Sequence, residues 1–206
     1  MSRDPDTLLR YTTAERINHW VVAISFILLA LSGLALFHPL FWPLSDLLGG
    51  GTWSRILHPF IGLLMVLAFI GLFFRFRKYN RMTDDDREWL KNAREVIKGH
   101  QNHLPEQGKF NAGQKLVFKS SALLIVLLLL SGLVLWRAYF NLPVEMVRIA
   151  AVVHAASATF LIAIILIHVY AAIWVKGSFG AMGSGKVSRA WARQHHRRWY
   201  REMTGK

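Results

Sequence analysis

The chain carries nine histidines and no cysteine. Four of the histidines, His19, His58, His154 and His168, lie inside or at the ends of long runs that lack Asp, Glu, Lys and Arg. An imidazole is costly in such surroundings without a partner, so its default reading is functional. A single one bonded to a backbone carbonyl would be ordinary; four together call for chemistry. His154 and His168 stand fourteen residues apart, which on a helix returns to within about 40° of the same face after a rise of about 21 Å. His19 follows Arg16, and His58 follows Arg55, by three residues each. Measured from these basic flanks, His58 matches His154 in depth and His19 matches His168. Two imidazoles stacked on one helix face, each opposed by another from a second helix, would hold two bis-histidyl haems one above the other. Zinc is a weaker reading, because a tetrahedral site wants four ligands together and each level has two. A proton relay would bring acidic partners, and the runs have none. The missing cysteines exclude disulfides, iron–sulfur ligation and covalent haem attachment.

The elements that must position these histidines are the runs themselves. Ile17–Phe37, Ile56–Phe74, Ser120–Trp136 and Ile149–Val175 are free of charged residues, and about 17–25 apolar residues suffice to cross a bilayer as a helix. The expected spans are about 17–37, 54–76, 116–136 and 149–175. The first run lacks a small-residue cleavage site and is read as a retained span rather than a signal peptide. The strings LLALSGLALF around Ser32-Gly33 and LLLLSGLVLW around Ser131-Gly132 echo each other, which hints at a duplicated helical hairpin. Gly33 falls at the depth of the His58/His154 pair, as does Gly132, and a glycine there would let a porphyrin edge approach the backbone. Small-residue helix packing is the plainer alternative.

The formal charge of +13 is distributed unevenly. Twenty-two of the twenty-five Lys and Arg lie in the N-terminal tail, the connector between the second and third spans, and the C-terminal tail. Only Arg55, Arg137 and Arg148 lie in the other two connectors. The positive-inside rule makes the heavy side, with both termini, cytoplasmic. A basic face on anionic lipid explains the charge without nucleic acid. In the connector 77–115, Asp84, Asp85 and Asp86 suit a helix start, and Trp89, Leu90, Ala93, Val96 and Ile97 follow at helical spacing, predicting an amphipathic interfacial helix. The tail 176–206, with Trp191, Trp199 and Tyr200, reads the same way. His100, His103, His195 and His196 are expected to be solvated, and His38 to face water or a partner. Arg55, Arg137 and Arg148 outside, and Arg16 and Lys176 inside, are candidates for haem propionates or for ordinary snorkelling.

RYTTAERINHW (Arg10–Trp20), RILHPFIG (Arg55–Gly62), FNAGQK (Phe110–Lys115), AIWVKG (Ala172–Gly177) and WARQHHRRWYRE (Trp191–Glu202) resemble the cytochrome b subunit of bacterial respiratory formate dehydrogenase, over nearly the whole chain. The resemblance implies an all-α integral membrane protein, 1–206 as a single di-haem domain, built as a four-helix bundle in the bacterial inner membrane. It implies that His58 and His154 ligate an outer haem b and His19 and His168 an inner one. Asn111 and Gly113 would line a quinone site, bordered by His168, for menaquinone or ubiquinone. The implied partners are an iron–sulfur subunit and a molybdenum or tungsten formate-oxidising subunit, with a trimer of heterotrimers allowed. Formate would be oxidised elsewhere, and this chain would reduce quinone. The related cytochrome b subunits of hydrogenases and thiosulfate reductases share the plan, and a histidine-containing transporter is the alternative from another class.

Overall fold

Apolar side chains surround each of the four runs, leaving no face for water. In hydrocarbon such a segment must bond its own backbone, and the α-helix does so locally. The computed structural model of the chain describes residues 6–97, 105–136 and 141–205, with 96 and 97 described by backbone alone. Arg3, Lys98, His100, His103 and Arg137, and the side chains of Val96 and Ile97, lie outside the described residues. In chain order the elements are β1 (Thr7–Leu9), α1 (Thr13–Phe37), α2 (Gly51–Phe76), α3 (Asp84–Lys91), α4 (Ala93–Ile97), α5 (Ala112–Leu135), α6 (Val144–Trp174), α7 (Ser178–Ser184), β2 (Lys186–Ser188), α8 (Arg189–His195) and α9 (Arg197–Thr204). Short 3-10 segments cover Pro39–Leu48 and Arg77–Asn80. Helices α1, α2, α5 and α6 are each long and apolar enough to cross a membrane.

Caps set where the long helices begin. The Thr12 amide donates to the Glu15 carboxylate at 2.7 Å and the Glu15 amide to the Thr12 hydroxyl at 3.3 Å. This reciprocal box starts α1 four residues ahead of its charge-free run. Asn111 and Gln114 do the same for α5, each amide donating to the other's side-chain oxygen, at 3.0 and 2.9 Å.

Two compact units emerge from the packing. One comprises Ile17–Phe73 and Ser120–Leu166. Its buried centre is Met65, Ile125 and Leu161, packed by Val22, Phe26 and Leu29 of α1, Val66 and Phe69 of α2, Leu124 and Leu128 of α5, and Ile165 of α6. Ile27, Leu67, Leu123, Val126, Val152 and Phe160 point outward and are exposed, as lipid-facing residues must be. Asn18 donates to the Ala68 carbonyl at 2.7 Å, an approach that Gly71 permits: a Cβ there would stand 2.9 Å from Asn18 Oδ1.

The other unit comprises Met1–Arg16, Phe74–Lys119 and Ile167–Lys206. Strands β1 and β2 pair antiparallel, Leu8 opposite Val187. The ladder continues as the Arg10 and Tyr11 amides donate to the Gly185 carbonyl. Gly185 has a φ of +82°, and a Cβ there would meet the Tyr11 carbonyl at 2.5 Å. Tyr11, Phe76, Phe110 and Tyr79 form an aromatic cluster with ring centres 5.4 to 6.5 Å apart.

This unit corrects the reading of the basic segments. The connector helix is broken at Asn92, which ends α3 and donates its side-chain amide to the Glu88 carbonyl. Asparagine competes for the carbonyls that would continue the helix. The tail's apolar face meets protein: Trp199 is buried, and the Arg10 guanidinium lies 4.9 Å from the ring centres of both Trp191 and Trp199. His196, expected to be solvated, is 2% exposed. Its Nδ1 donates to the Gly108 carbonyl at 2.7 Å, leaving Nε2 to accept from Arg10 at 3.1 Å. Arg10, itself 3% exposed, also donates to the Lys109 carbonyl at 2.7 Å. Burial first, and the Arg10 charge second, hold His196 well below the usual imidazole range.

Candidate functional site

Of the four histidines in the spans, His58 and His154 meet within one unit. Their ring centres stand 6.3 Å apart with planes inclined at 59°. Each ring rests on a Ser-Gly step of a neighbouring helix. His58, on α2, bonds through Nδ1 to Ser32 Oγ of α1 at 2.8 Å. His154, on α6, bonds through Nδ1 to Ser131 Oγ of α5 at 3.0 Å. The following glycines make room for the rings: a Cβ at Gly33 would stand 3.4 Å from His58 Cε1, and one at Gly132 3.3 Å from His154 Cε1. Gly33 and Gly132 were expected to admit a porphyrin edge or to pack helices; among protein atoms the nearest to a Cβ at each belongs to an imidazole.

The sequence reading did not single out the two serines, although their signal was present. They are the Ser of the repeated LSGL string, and the echo places one beside each histidine of the pair.

His19 and His168 belong to different units. The His19 ring meets Trp20 edge-on at 5.6 Å, and His168 is half-buried on α6. Asn111 serves α5 as its cap, with its side-chain oxygen accepting from Gln114. A Cβ at Gly113 would lie 3.6 Å from Trp89 of α3 and 3.5 Å from Asn111 Oδ1. One turn below, Lys115 Nζ donates to Asp86 Oδ2 at 2.6 Å, with both side chains buried. The Asp86 oxygen also closes the Thr83 capping box at the start of α3.

The flanking cations divide. Arg55, Arg148 and Lys176 are exposed, whereas Arg16 donates to the Gly183 carbonyl and to Thr13 Oγ1. His38 is exposed and caps the 3-10 segment, accepting from the Leu40 amide at 3.2 Å. His195 is half-buried, its ring centre 5.2 Å from that of Trp191.

The His58/His154 pair fits a metal held between two imidazoles. Ring centres 6.3 Å apart would leave room for a metal–nitrogen bond of about 2 Å from each imidazole. Among the described residues no three His, Cys, Asp or Glu come together as a metal cluster, and His58 and His154 would be the two protein ligands available at this level.

Comparison with known proteins agrees in kind. The family model for prokaryotic cytochrome b561 matches residues 10–185. The chain is 44% identical over 200 residues to the formate dehydrogenase cytochrome b556(fdo) subunit of Escherichia coli, covering 96% of this chain and 94% of that one. It is 44% identical over 198 residues to the nitrate-inducible cytochrome b556(Fdn) subunit of the same organism, covering 95% and 91%. The formate dehydrogenase cytochrome b556 subunit of Haemophilus influenzae is 41% identical over 197 residues, covering 95% and 83%. Four apolar helices, a facing pair of histidines and a family match over most of the length lead to one assignment: the chain belongs to the prokaryotic cytochrome b561 family.

Proposed function

We propose that this chain is the membrane cytochrome b subunit of a formate dehydrogenase, delivering electrons from a periplasmic iron–sulfur subunit to quinone near the cytoplasmic face of the bacterial inner membrane. The observation that carries the reading is the facing of His58 and His154 from two apolar helices, each imidazole held through Nδ1. The relatives' names supply formate as the donor for their own complexes. Membership of a cytochrome b family implies b-type haem.

When bound, haem b would supply a one-electron iron couple, and two histidine ligands would leave no position for oxygen chemistry. His58 and His154 would hold the outer of two such groups, and His19 and His168 the inner one. Asn111, Gly113 and His168 would border the quinone. Asn111 keeps its side-chain amide available, because only the oxygen is used in capping α5. Trp89, standing against Gly113, would offer an aromatic wall to a quinone ring. Two protons taken from the cytoplasm as electrons move inward would store charge across the membrane, about 2.3 kcal/mol per charge per 100 mV. Both termini would be cytoplasmic, and a molybdenum or tungsten subunit would oxidise formate on the outer side.

The test is a dithionite-reduced minus oxidised spectrum of the purified membrane complex, with haem quantified per chain and each of His19, His58, His154 and His168 changed to Ala. Two b-type haems per chain, reduced by formate only when the partner subunits are present, are expected. His58→Ala and His154→Ala should lose one component and His19→Ala and His168→Ala the other. An intact complex whose chain holds no haem would overturn the proposal.

A further inference from the structure

The two Ser-Gly steps do more than pack. A serine hydroxyl has one proton. Ser32 donates its proton to the Leu28 carbonyl one turn back on α1, at 2.7 Å, and Ser131 donates its own to the Leu127 carbonyl on α5, at 2.6 Å. The oxygen that remains can only accept. With the hydroxyl protons so assigned, His58 Nδ1 at 2.8 Å and His154 Nδ1 at 3.0 Å are the N–H of each ring, and the Leu128 carbonyl also accepts from His154. The lone pair of each neutral imidazole is then on Nε2.

We propose that Ser32 and Ser131 are paired positioning residues for metal-ligating imidazoles: each fixes the Nδ1–H tautomer, orients the ring and, by accepting the Nδ1–H hydrogen bond, strengthens Nε2 as a donor and lowers the potential of the centre the two histidines share. This rests on His58 and His154 being axial ligands. The serines are suited to it because their own helices hold them. Back-bonding to the carbonyl four residues earlier sets the hydroxyl before any imidazole arrives. Ser32 is 1% exposed, so water does not compete for the oxygen. The neighbouring glycine is the second half of the device, since it lets the ring lie against the helix at the height of the hydroxyl. A hydrogen bond accepted from the distal ring nitrogen raises the basicity of the ligating one, which favours the oxidised metal. Because both axial ligands are treated alike, the two effects act on one centre and add.

The experiment uses the assembled complex with its partner subunits. Ser32→Ala, Ser131→Ala and the double variant are compared with the unmodified chain by haem content and by redox titration of the difference spectrum. Haem content should hold, one of the two b-type components should move to a more positive potential in each single variant and further in the double, and the other component should stay. Ser32→Thr and Ser131→Thr, which keep the hydroxyl, should restore the original value. Should the Ala variants lose that haem, the Thr variants decide: recovery of the haem at its original potential supports the proposal, and equal loss overturns it. Both haems present at unmoved potentials in the double Ala variant would also overturn it, while leaving the axial-ligand reading intact. No haem in the unmodified complex would instead remove the reading on which it rests.

Discussion

At Gly33 and Gly132 the structure asks for space rather than for backbone freedom. Neither has a positive φ; what matters is the 3.3–3.4 Å that a Cβ would leave to each imidazole. That is tight contact, which one methyl can meet by a shift of a few tenths of an ångström. Gly33→Ala and Gly132→Ala should therefore fold and bind, with the shared haem component displaced in spectrum or reduced in amount. Gly33→Val adds two methyls on the same line and should lose that component while sparing the other. Haem per chain and the resolved difference spectrum measure both. Equal haem in Gly33→Val and the unmodified chain would mean that the imidazole is not seated where the glycine admits it. The histidines were legible in the sequence because an imidazole is conspicuous among apolar residues. The serines were not, since a serine in a membrane helix is ordinary until a hydrogen-bond partner is known.

Among elements, the joint between α3 and α5 depends on one buried ion pair. Asp86 and Lys115 are 1% and 4% exposed at the side chain. Burial pushes the Asp86 carboxyl up, but bonds from Lys115 and from the Thr83 amide and hydroxyl more than reverse this, and it sits below the ordinary range. An acid so depressed stabilises the fold above about pH 4, its unfolded value, and that contribution is lost as pH falls through the folded value. Removing one partner leaves the other charge buried, so Asp86→Asn or Lys115→Met should destabilise by about 3–5 kcal/mol. The double change Asp86→Asn/Lys115→Met should cost clearly less than the two singles together. Thermal unfolding in detergent reads all three; strict additivity would mean that the pair does not couple these helices. The interiors of the long helices followed from their runs, because twenty apolar residues in lipid have one backbone solution. The break at Asn92 did not, because apolar spacing continues through Ala93; there the Asn92 amide and side chain both close on the Glu88 carbonyl as α3 ends.

Over the whole chain, the basic segments carry an uneven charge in sequence and a folded structure that their sequence did not disclose. That twenty-two of the twenty-five Lys and Arg fall in the two tails and the middle connector is a count the sequence carries by itself. That Arg10 would be enclosed by Trp191, Trp199 and His196 depends on contacts nearly two hundred residues apart in sequence, beyond the reach of any local pattern. The enclosure has a pH signature. His196 is neutral when folded and its proton affinity is depressed, so below about pH 6.5 the unfolded segment takes up a proton that the folded one refuses. Its contribution is full above that value and declines as pH falls. Protease cleavage within residues 186–205 should accelerate between pH 7 and pH 5, and His196→Gln should flatten that dependence. The charge asymmetry itself is tested by labelling. The chain has no cysteine, so an introduced thiol is a unique probe. Leu40, 74% exposed before α2, lies in a lightly charged connector and should be outside. Glu202, exposed in α9, lies in the basic tail and should be inside. A membrane-impermeant thiol reagent should label Leu40→Cys in spheroplasts and Glu202→Cys only in inverted vesicles. The reverse pattern would turn the protein over in the membrane, put Asn111 and Gly113 on the outer side, and remove the cytoplasmic protons from the proposed quinone chemistry.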